Sequence, residues 1–206
     1  MDYGLEATNG DDFVHNATGM LLGAFARERV SRQPEQWNQI NERLSVAVAD
    51  AKGGAATISL AAAGNMKDTA SPQLLTAVEN RLRASESASI SRQAAMTVTS
   101  IGRSNLTAAQ FKEIWDGEVN SDAVVELIRA SSKAQDVKGN QTYQQNLLLK
   151  LEDRKVHDNV RKASLEVLAE TGYGQLDNER QEIRQLMVGE HNREIAKSLR
   201  QLYRRY

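Results

Sequence analysis

Three histidines, at positions 15, 157 and 191, are the side chains of this sequence best suited to bind a metal ion or to move a proton. His157 and His191 are 34 residues apart. Carboxylates that could complete a metal site lie near them, at Asp153, Asp158 and Glu190. In a helical array with a repeat of that length, equivalent positions lie roughly 10 Å apart, which is long for joint ligation of one ion. The sequence therefore predicts no metal centre and no cofactor.

Other catalytic patterns are absent from the sequence. It contains no Gly-x-Ser-x-Gly elbow, no phosphate-binding glycine loop and no His-Glu-x-x-His. The absence of cysteine excludes thiolate nucleophiles, thiolate zinc sites and disulfides. Adjacent carboxylates such as Asp11 and Asp12 lie near predicted helix starts, where they complement the helix dipole. We therefore expect a protein that is not an enzyme.

Charge is organised at the two ends of the chain, although the formal net charge is only -1 and disfavours general binding to nucleic acid. Residues 1–20 carry a formal charge of -4, from Asp2, Glu6, Asp11 and Asp12. Residues 193–206 carry +4, with the cations Arg193, Lys197, Arg200, Arg204 and Arg205. This basic terminal helix could dock an acidic partner, an anionic surface or the acidic end of another copy. It could equally be a solvated helix whose cations suit its C-terminus.

The elements that carry these residues are predicted to be helices. Two prolines and ten aromatic residues in 206, with apolar residues recurring every 3.6 positions, indicate an all-α protein. Helices that begin a repeat are expected near Asp12, Ala55, Ser89, Asp122, His157 and Asn192. After a first interval of 43 residues, the later intervals are 33 to 35 residues. With a second helix after most of them, the pattern predicts about eleven helices in five to six repeats.

Turn residues support these divisions. Gly64, Gly102, Gly139 and Gly172 each follow a repeat-starting helix, where a left-handed residue would end it. Ser71 before Pro72 is typical of a helix start, and Thr107 with Gln110 has the spacing of a capping box.

Stacking such helix pairs would complete a shared core and produce a right-handed α-α superhelix. We expect one solenoid domain over residues 11–206, preceded by a flexible acidic segment over residues 1–10. The chain could be a fragment of a longer protein. Alanines such as Ala61, Ala62 and Ala94 would let the two helical layers approach closely.

The segment Asp158-Asn159-Val160-Arg161-Lys162-Ala163-Ser164-Leu165 resembles the first helix of a HEAT repeat. Leu60-Ala61-Ala62-Ala63-Gly64-Asn65-Met66-Lys67-Asp68, with Ser71-Pro72-Gln73-Leu74-Leu75 after it, resembles the helical domain of vitellogenin-like large lipid transfer proteins. Met20-Leu21-Leu22-Gly23-Ala24-Phe25-Ala26-Arg27 is similar to a helix of the same family. The resemblance implies a helical superhelix that contacts proteins or braces lipid-holding sheets, and it brings no catalytic residue.

Two functions follow as expectations. The first is a scaffold for protein–protein interaction, since a solenoid offers an extended surface and no catalytic cluster is present. The second is transport of a lipid or other apolar ligand, which the vitellogenin-like segments favour. The longest apolar stretch, Met20 to Ala26, is too short to cross a membrane. The compartment, the oligomeric state and the identity of the partner stay open.

Overall fold

The computed structural model describes residues 9–84 and 87–205, with side chains from residue 14 onward. Its regular structure is entirely helical over these ranges, with eleven α-helices and short 3-10 turns at Pro34–Gln36 and Lys67–Thr69. The α-helices are α1 (Asn9–Arg32), α2 (Trp37–Asp50), α3 (Gly54–Asn65), α4 (Pro72–Ala84), α5 (Ala88–Ile101), α6 (Ala108–Gly117), α7 (Ser121–Ser131), α8 (Gln141–Glu152), α9 (Asp158–Glu170), α10 (Asp177–Gly189) and α11 (Arg193–Arg205). The prediction of an all-α protein with about eleven helices is confirmed.

The predicted starts of the repeat-starting helices agree closely with the structure. Five of the six, α3, α5, α7, α9 and α11, begin within one residue of the predicted position, and α1 begins three residues earlier. Side-chain caps begin three of these helices, Ser87 at α5, Asn120 at α7 and His157 at α9. The predicted start of α4 is capped as well, since the Ser71 hydroxyl accepts a hydrogen bond from the Leu74 amide at 3.1 Å. Thr107 and Gln110 form the predicted capping box at the start of α6.

Three of the four predicted turn glycines adopt the left-handed conformation, with φ of 81° at Gly102, 71° at Gly139 and 82° at Gly172. Gly139 does not end α7, which stops at Ser131, but lies in the turn before α8, so the prediction that it ends a helix is wrong. The prediction for Gly64 is also wrong. Gly64 lies inside α3, which continues to Asn65. A Cβ atom at Gly64 would lie 3.4 Å from the Cα of Thr97 on α5. The glycine therefore marks a helix contact and does not end a helix.

The chain divides into two compact units, Met1–Asn105 and Leu106–Tyr206. In the first unit, alternate helices pack together: α1 on α3, α3 on α5, and α2 on α4. Small residues allow a very close approach of α1 to α3. A Cβ atom at Gly19 would lie 2.4 Å from the Ile58 carbonyl oxygen, and one at Gly23 the same distance from that of Ala62.

Buried polar side chains connect α2 to α4 and to the turn that precedes α4. The Asn41 side chain accepts a hydrogen bond from the Ser71 amide at 2.7 Å and donates to the Thr69 carbonyl at 3.2 Å. The buried Arg81 guanidinium on α4 donates to the Val48 carbonyl at 2.8 Å, near the end of α2. Free backbone groups at helix ends need such partners when they are buried.

In the second unit, α7 packs on α9, α9 contacts α11, and α6 contacts α8. Trp115 on α6 and Tyr143 on α8 are almost fully buried, with ring centroids 6.3 Å apart. The Tyr143 hydroxyl lies 2.5 Å from that of Ser131, and burial raises the pKa of Tyr143. Within each unit, packing of alternate helices is consistent with a helical repeat arrangement.

Within the described ranges, every helix is too short or too polar to span a bilayer. Most of the acidic segment predicted to be flexible, residues 1–8, lies outside the described residues. Asn9 and Gly10 belong to α1. The extent of a single solenoid domain over residues 11–206 stays a prediction.

Candidate functional site

The predicted basic segment forms α11, a helix with one buried side and one charged side. Its start is capped by Asn192, whose side-chain oxygen accepts hydrogen bonds from the amides of Glu194 at 3.0 Å and Ile195 at 3.2 Å. The buried side consists of Ile195, Ala196, Leu199 and Leu202. Burial of these side chains fixes which side of α11 faces solvent.

Four of the five predicted cations lie at i, i+4, i+7 and i+11, and we name them the cationic stripe: Arg193, Lys197, Arg200 and Arg204. Because successive helical residues are about 100° apart, these spacings place all four within roughly 60° of one another around α11. All four are exposed. Among the described residues, none of them forms a hydrogen bond or an ion pair. The stripe is therefore a line of charge, about 16 Å long, that faces solvent.

The fifth predicted cation, Arg205, departs from this line. It lies about 100° further around the helix than Arg204, and it donates a hydrogen bond to the Ala169 carbonyl of α9 at 3.2 Å. Arg205 therefore helps to hold α11 on α9. The Tyr203 ring also fixes the helix, since the Arg180 guanidinium of α10 lies 5.4 Å from its centroid.

A groove of about 580 Å³ lies beside the stripe, between α9 and α11. Its apolar lining includes Leu165 and Leu202, both largely buried. Its charged lining residues are Lys162, Glu166, Glu194, Lys197 and Arg205. Lys197 belongs to both the groove and the stripe, so the two features form one continuous surface of the second unit.

The electrostatics of this groove are mixed. Lys162 of α9 forms an ion pair with Glu194 of α11, and this hydrogen bond, with Lys197 nearby, lowers the pKa of Glu194. One turn along α9, Glu166 forms an ion pair with Arg129 of α7 at 3.0 Å. The groove therefore carries carboxylates that are already paired, whereas the cations of the stripe are not.

The stripe is held in place by a buried joint between α9 and the start of α11. Arg161 is 5% exposed and donates to the Leu151 carbonyl at 2.8 Å and to Asp158 at 3.2 Å. It also forms an ion pair with Glu190. Asn192, the cap of α11, donates to Asp158 at 2.7 Å. This network connects the ends of four helices, α8, α9, α10 and α11, and so fixes where α11 begins.

The joint controls the ionisation of its two carboxylates. Burial alone would raise the pKa of Glu190, but hydrogen bonds from Arg161 and from the Asn192 amide outweigh it and lower that pKa. The hydrogen bond from the Asn192 side chain, with that from Arg161, lowers the pKa of Asp158. Both groups are thus stabilised as carboxylates that pair with Arg161.

The histidines do not come together with these acids as metal ligands. No group of three or more potential ligands is found among the described residues. The exposed His157 caps α9, where its Nδ1 accepts a hydrogen bond from the Asn159 amide at 3.2 Å. His15 packs against Gly54 at the start of α3. Asp158 and Glu190, two of the possible metal ligands, are instead the partners of Arg161.

Sequence reasoning did not find this joint or the groove. Arginines lie near the starts of α5, α9 and α11, at positions 92, 161 and 193, but only Arg161 is buried, and the other two are exposed. In the sequence, the joint could have been predicted from Glu190 and Asn192, which lie about one repeat after Asp158 and Arg161. Charged residues 37 positions apart, such as Lys133 and Glu170, pair in the same way at 3.5 Å.

No family model matches this chain, and a search of curated proteins finds no relative.

Proposed function

We propose that this chain is a non-enzymatic scaffold for protein–protein interaction, and that α11 binds an acidic segment of a partner protein. The observation that carries the proposal is the cationic stripe, four exposed cations in one line that form no hydrogen bond and no ion pair with the described residues. Leaving like charges side by side has a small electrostatic cost, which a row of partner carboxylates would remove.

The partner segment is an amphipathic helix or strand. Its carboxylates lie along the stripe, and one of its apolar side chains enters the neighbouring groove against Leu165 and Leu202. Nucleic acid fits this surface less well, because Glu166 and Glu194 also line the groove and would repel a phosphate backbone. The formal net charge of -1 also favours a protein partner over nucleic acid.

The fold that presents this surface is, in our proposal, a HEAT-like right-handed α-α superhelix of five to six repeats. Packing of alternate helices within each unit supports it, as do the repeat intervals of 33 to 35 residues after the first. The resemblance to HEAT repeats and to the helical domain of vitellogenin-like proteins belongs to this proposal.

The ionisation of three carboxylates near α11 supports a structural role for them. The pKa values of Asp158, Glu190 and Glu194 are all lowered by hydrogen bonds and charges that join one helix to the next. A general acid at neutral pH needs a raised pKa. These groups are thus suited to holding helices together.

The proposal is tested with a synthetic helical peptide that carries Glu at i, i+4, i+7 and i+11 and Leu on the adjacent side. Fluorescence anisotropy measures its binding to the full chain. We expect replacement of all four stripe cations with Gln to weaken binding by about tenfold or more, and raised salt to weaken it in the wild type.

The matched control variant replaces four exposed cations elsewhere with Gln: Arg43, Lys52, Arg83 and Lys138. Because the same charge is removed, this variant should bind the peptide as the wild type does. Equal losses in both variants would contradict a specific surface. Tighter binding of a DNA duplex than of the peptide would replace the proposal with a nucleic-acid interface.

Carriage of a lipid or other apolar ligand is a second candidate. The observation that favours it is a groove of about 670 Å³ between α2 and α4, lined in part by Val46, Ala49, Ala77 and Ala84. Native mass spectrometry of the purified chain, with analysis of an organic extract, tests it. Excess mass that matches an extracted lipid would favour carriage, and a bare mass would count against it.

A further inference from the structure

The cationic stripe of α11 lies on the side that corresponds to the side of α9 on which α11 itself packs. Helix α9 begins at Asp158 and α11 begins 35 residues later, at Arg193. Each of the four cations of the stripe therefore has a counterpart at the same position of α9. These counterparts, which repeat the spacing of four, three and four residues, are Asp158, Lys162, Leu165 and Ala169.

The first two counterparts contact the start of α11. The Asp158 carboxylate accepts the hydrogen bond from the side chain of Asn192, the residue directly before α11. Lys162 forms its ion pair with Glu194, the second residue of α11. The N-terminal part of this side of α9 is therefore covered by the N-terminal part of α11.

The last two counterparts lie beside the rest of α11. Leu165 is buried and lines the groove between the two helices. The Ala169 carbonyl, near the end of α9, accepts the hydrogen bond from Arg205, the last residue of α11. Starts therefore lie beside starts and ends beside ends, so α11 packs on α9 in the parallel direction.

Helix α7 shows the same side covered one step earlier. It begins at Ser121, so Val125 and Ile128 occupy the positions that Lys197 and Arg200 occupy in α11. Both apolar side chains are buried, and α7 packs on α9. In α7 and α9 this side holds the next helix of the layer, whereas in α11 it is exposed and cationic.

Among the described residues, three ion pairs join these helices in sequence, and they share one order of charges: Arg129–Glu166, Lys133–Glu170 and Lys162–Glu194. In each pair the cation belongs to the earlier helix or to the turn after it, and the carboxylate belongs to the later helix. Lys197 is the fifth residue of α11, as Lys162 is of α9. The same order of charges assigns to Lys197 a carboxylate near the start of a further helix.

We propose that the partner segment is a helix that stacks on α11 in the parallel direction, as α11 stacks on α9, with a carboxylate of its first turns on Lys197. This inference rests on the function proposed for α11 and selects a helix over a strand. Arg200 and Arg204 stand where α9 has Leu165 and Ala169, so carboxylates of the partner replace apolar contacts. Carboxylates in the first turn also suit the dipole of the partner helix.

The chemistry of α11 favours a carboxylate-bearing helix over other occupants. Every exposed residue of α11 is polar or charged, whereas a helix that binds a membrane surface needs an apolar side that can enter the bilayer. A helix that only faces solvent is served by mixed charges of both signs. The stripe instead has four cations and no carboxylate along its line.

The first experiment exchanges charges between the full chain and the synthetic Glu peptide described above. Lys197→Glu and Arg204→Glu should each weaken peptide binding in fluorescence anisotropy by about fivefold or more. In a parallel complex, a peptide with Lys in place of its first Glu should restore binding to Lys197→Glu. A peptide with Lys in place of its last Glu should restore binding to Arg204→Glu. Both residues are exposed, so we expect unchanged circular dichroism of the two variants.

Lys52→Glu is the matched control, because Lys52 is exposed and lies outside α11. It should bind every peptide as the wild type does. Restoration in the crossed combinations would show an antiparallel helix and would overturn the inference, as would equal restoration by both peptides. Failure of the wild type to bind the Glu peptide at all would instead contradict the function proposed for α11.

The second experiment tests whether the bound segment is helical. A peptide that keeps the four Glu residues but has proline at its centre cannot form one continuous helix. We expect this peptide to bind the full chain about tenfold or more weakly than the original peptide. Circular dichroism of the mixture should show a gain of helix only with the original peptide. Equal affinities would indicate an extended segment and would overturn the inference.

Discussion

Replacement of Gly23 by Ala should weaken the packing of α1 on α3. The added Cβ atom would lie 2.4 Å from the Ala62 carbonyl oxygen and 2.6 Å from the Cβ of Asn65, whereas ordinary contacts are 3.4–4 Å. The oxygen belongs to the backbone of α3 and cannot rotate away. Helix α1 must therefore shift outward by about 1 Å, which overpacking studies associate with a cost of about 1–3 kcal/mol.

Helix propensity opposes this loss. Alanine is favoured over glycine within a helix by about 1 kcal/mol, so the net destabilisation should be up to about 2 kcal/mol. Gly64→Ala provides the matched control, because Gly64 also lies inside a helix but its Cβ atom would meet Thr97 at 3.4 Å. We expect that variant to be more stable than the wild type by up to about 1 kcal/mol.

Urea denaturation followed by circular dichroism measures both variants, and hydrogen exchange shows whether the loss in Gly23→Ala is concentrated in α1. The two substitutions have the same chemistry, so only their surroundings can give them opposite signs. If Gly23→Ala were as stable as Gly64→Ala, the close approach of α1 to α3 would be refuted.

The remaining predictions concern single turns and joints. Gly102→Val should cost about 1 kcal/mol or more, because φ is 81° and a Cβ atom there meets nothing within 4 Å, so a lowered melting temperature would report backbone strain alone. Asn41→Ala should cost about 1–3 kcal/mol in urea denaturation, because the buried Ser71 amide loses its acceptor. Glu190→Gln should also destabilise the fold by about 1–3 kcal/mol, because buried Arg161 loses one of its two carboxylate partners. The pKa of Glu190 is lowered from its ordinary 4.5, so its contribution should be complete above that pH and disappear as pH falls through the lowered value. A stability profile measured from pH 7 to acid should therefore be flatter for Glu190→Gln than for the wild type.

Positions of the helices could be predicted from the sequence because the interactions that begin and end a helix are local. The Ser71 hydroxyl and the Thr107–Gln110 pair act over three residues, and Gly102 ends α5 through its own φ angle. Gly64 shows the limit of this reasoning. A glycine late in a helical stretch resembles a left-handed end in the sequence, but α3 continues through Gly64 to Asn65.

The candidate site was predicted in part. The five cations of α11 were identified from their spacing, and four of them lie in one exposed line because the buried side of the helix consists of residues such as Leu199 and Leu202. Arg205 behaves differently because the Ala169 carbonyl of α9 is within reach. The groove and the Arg161 joint could not be predicted from the sequence, because the residues that form them belong to helices about 30 positions apart.

An all-α fold, the approximate starts of the helices and the line of cations on the last helix are all predictable from the amino-acid sequence. Those properties depend on residues within about four positions of one another, where the helical period fixes the geometry. The buried side of α1, in contrast, depends on tertiary contacts. In α1 the choice depends on Ala62 and Asn65, about 40 residues away, whose close contact with Gly23 turns Leu21 and Phe25 outward.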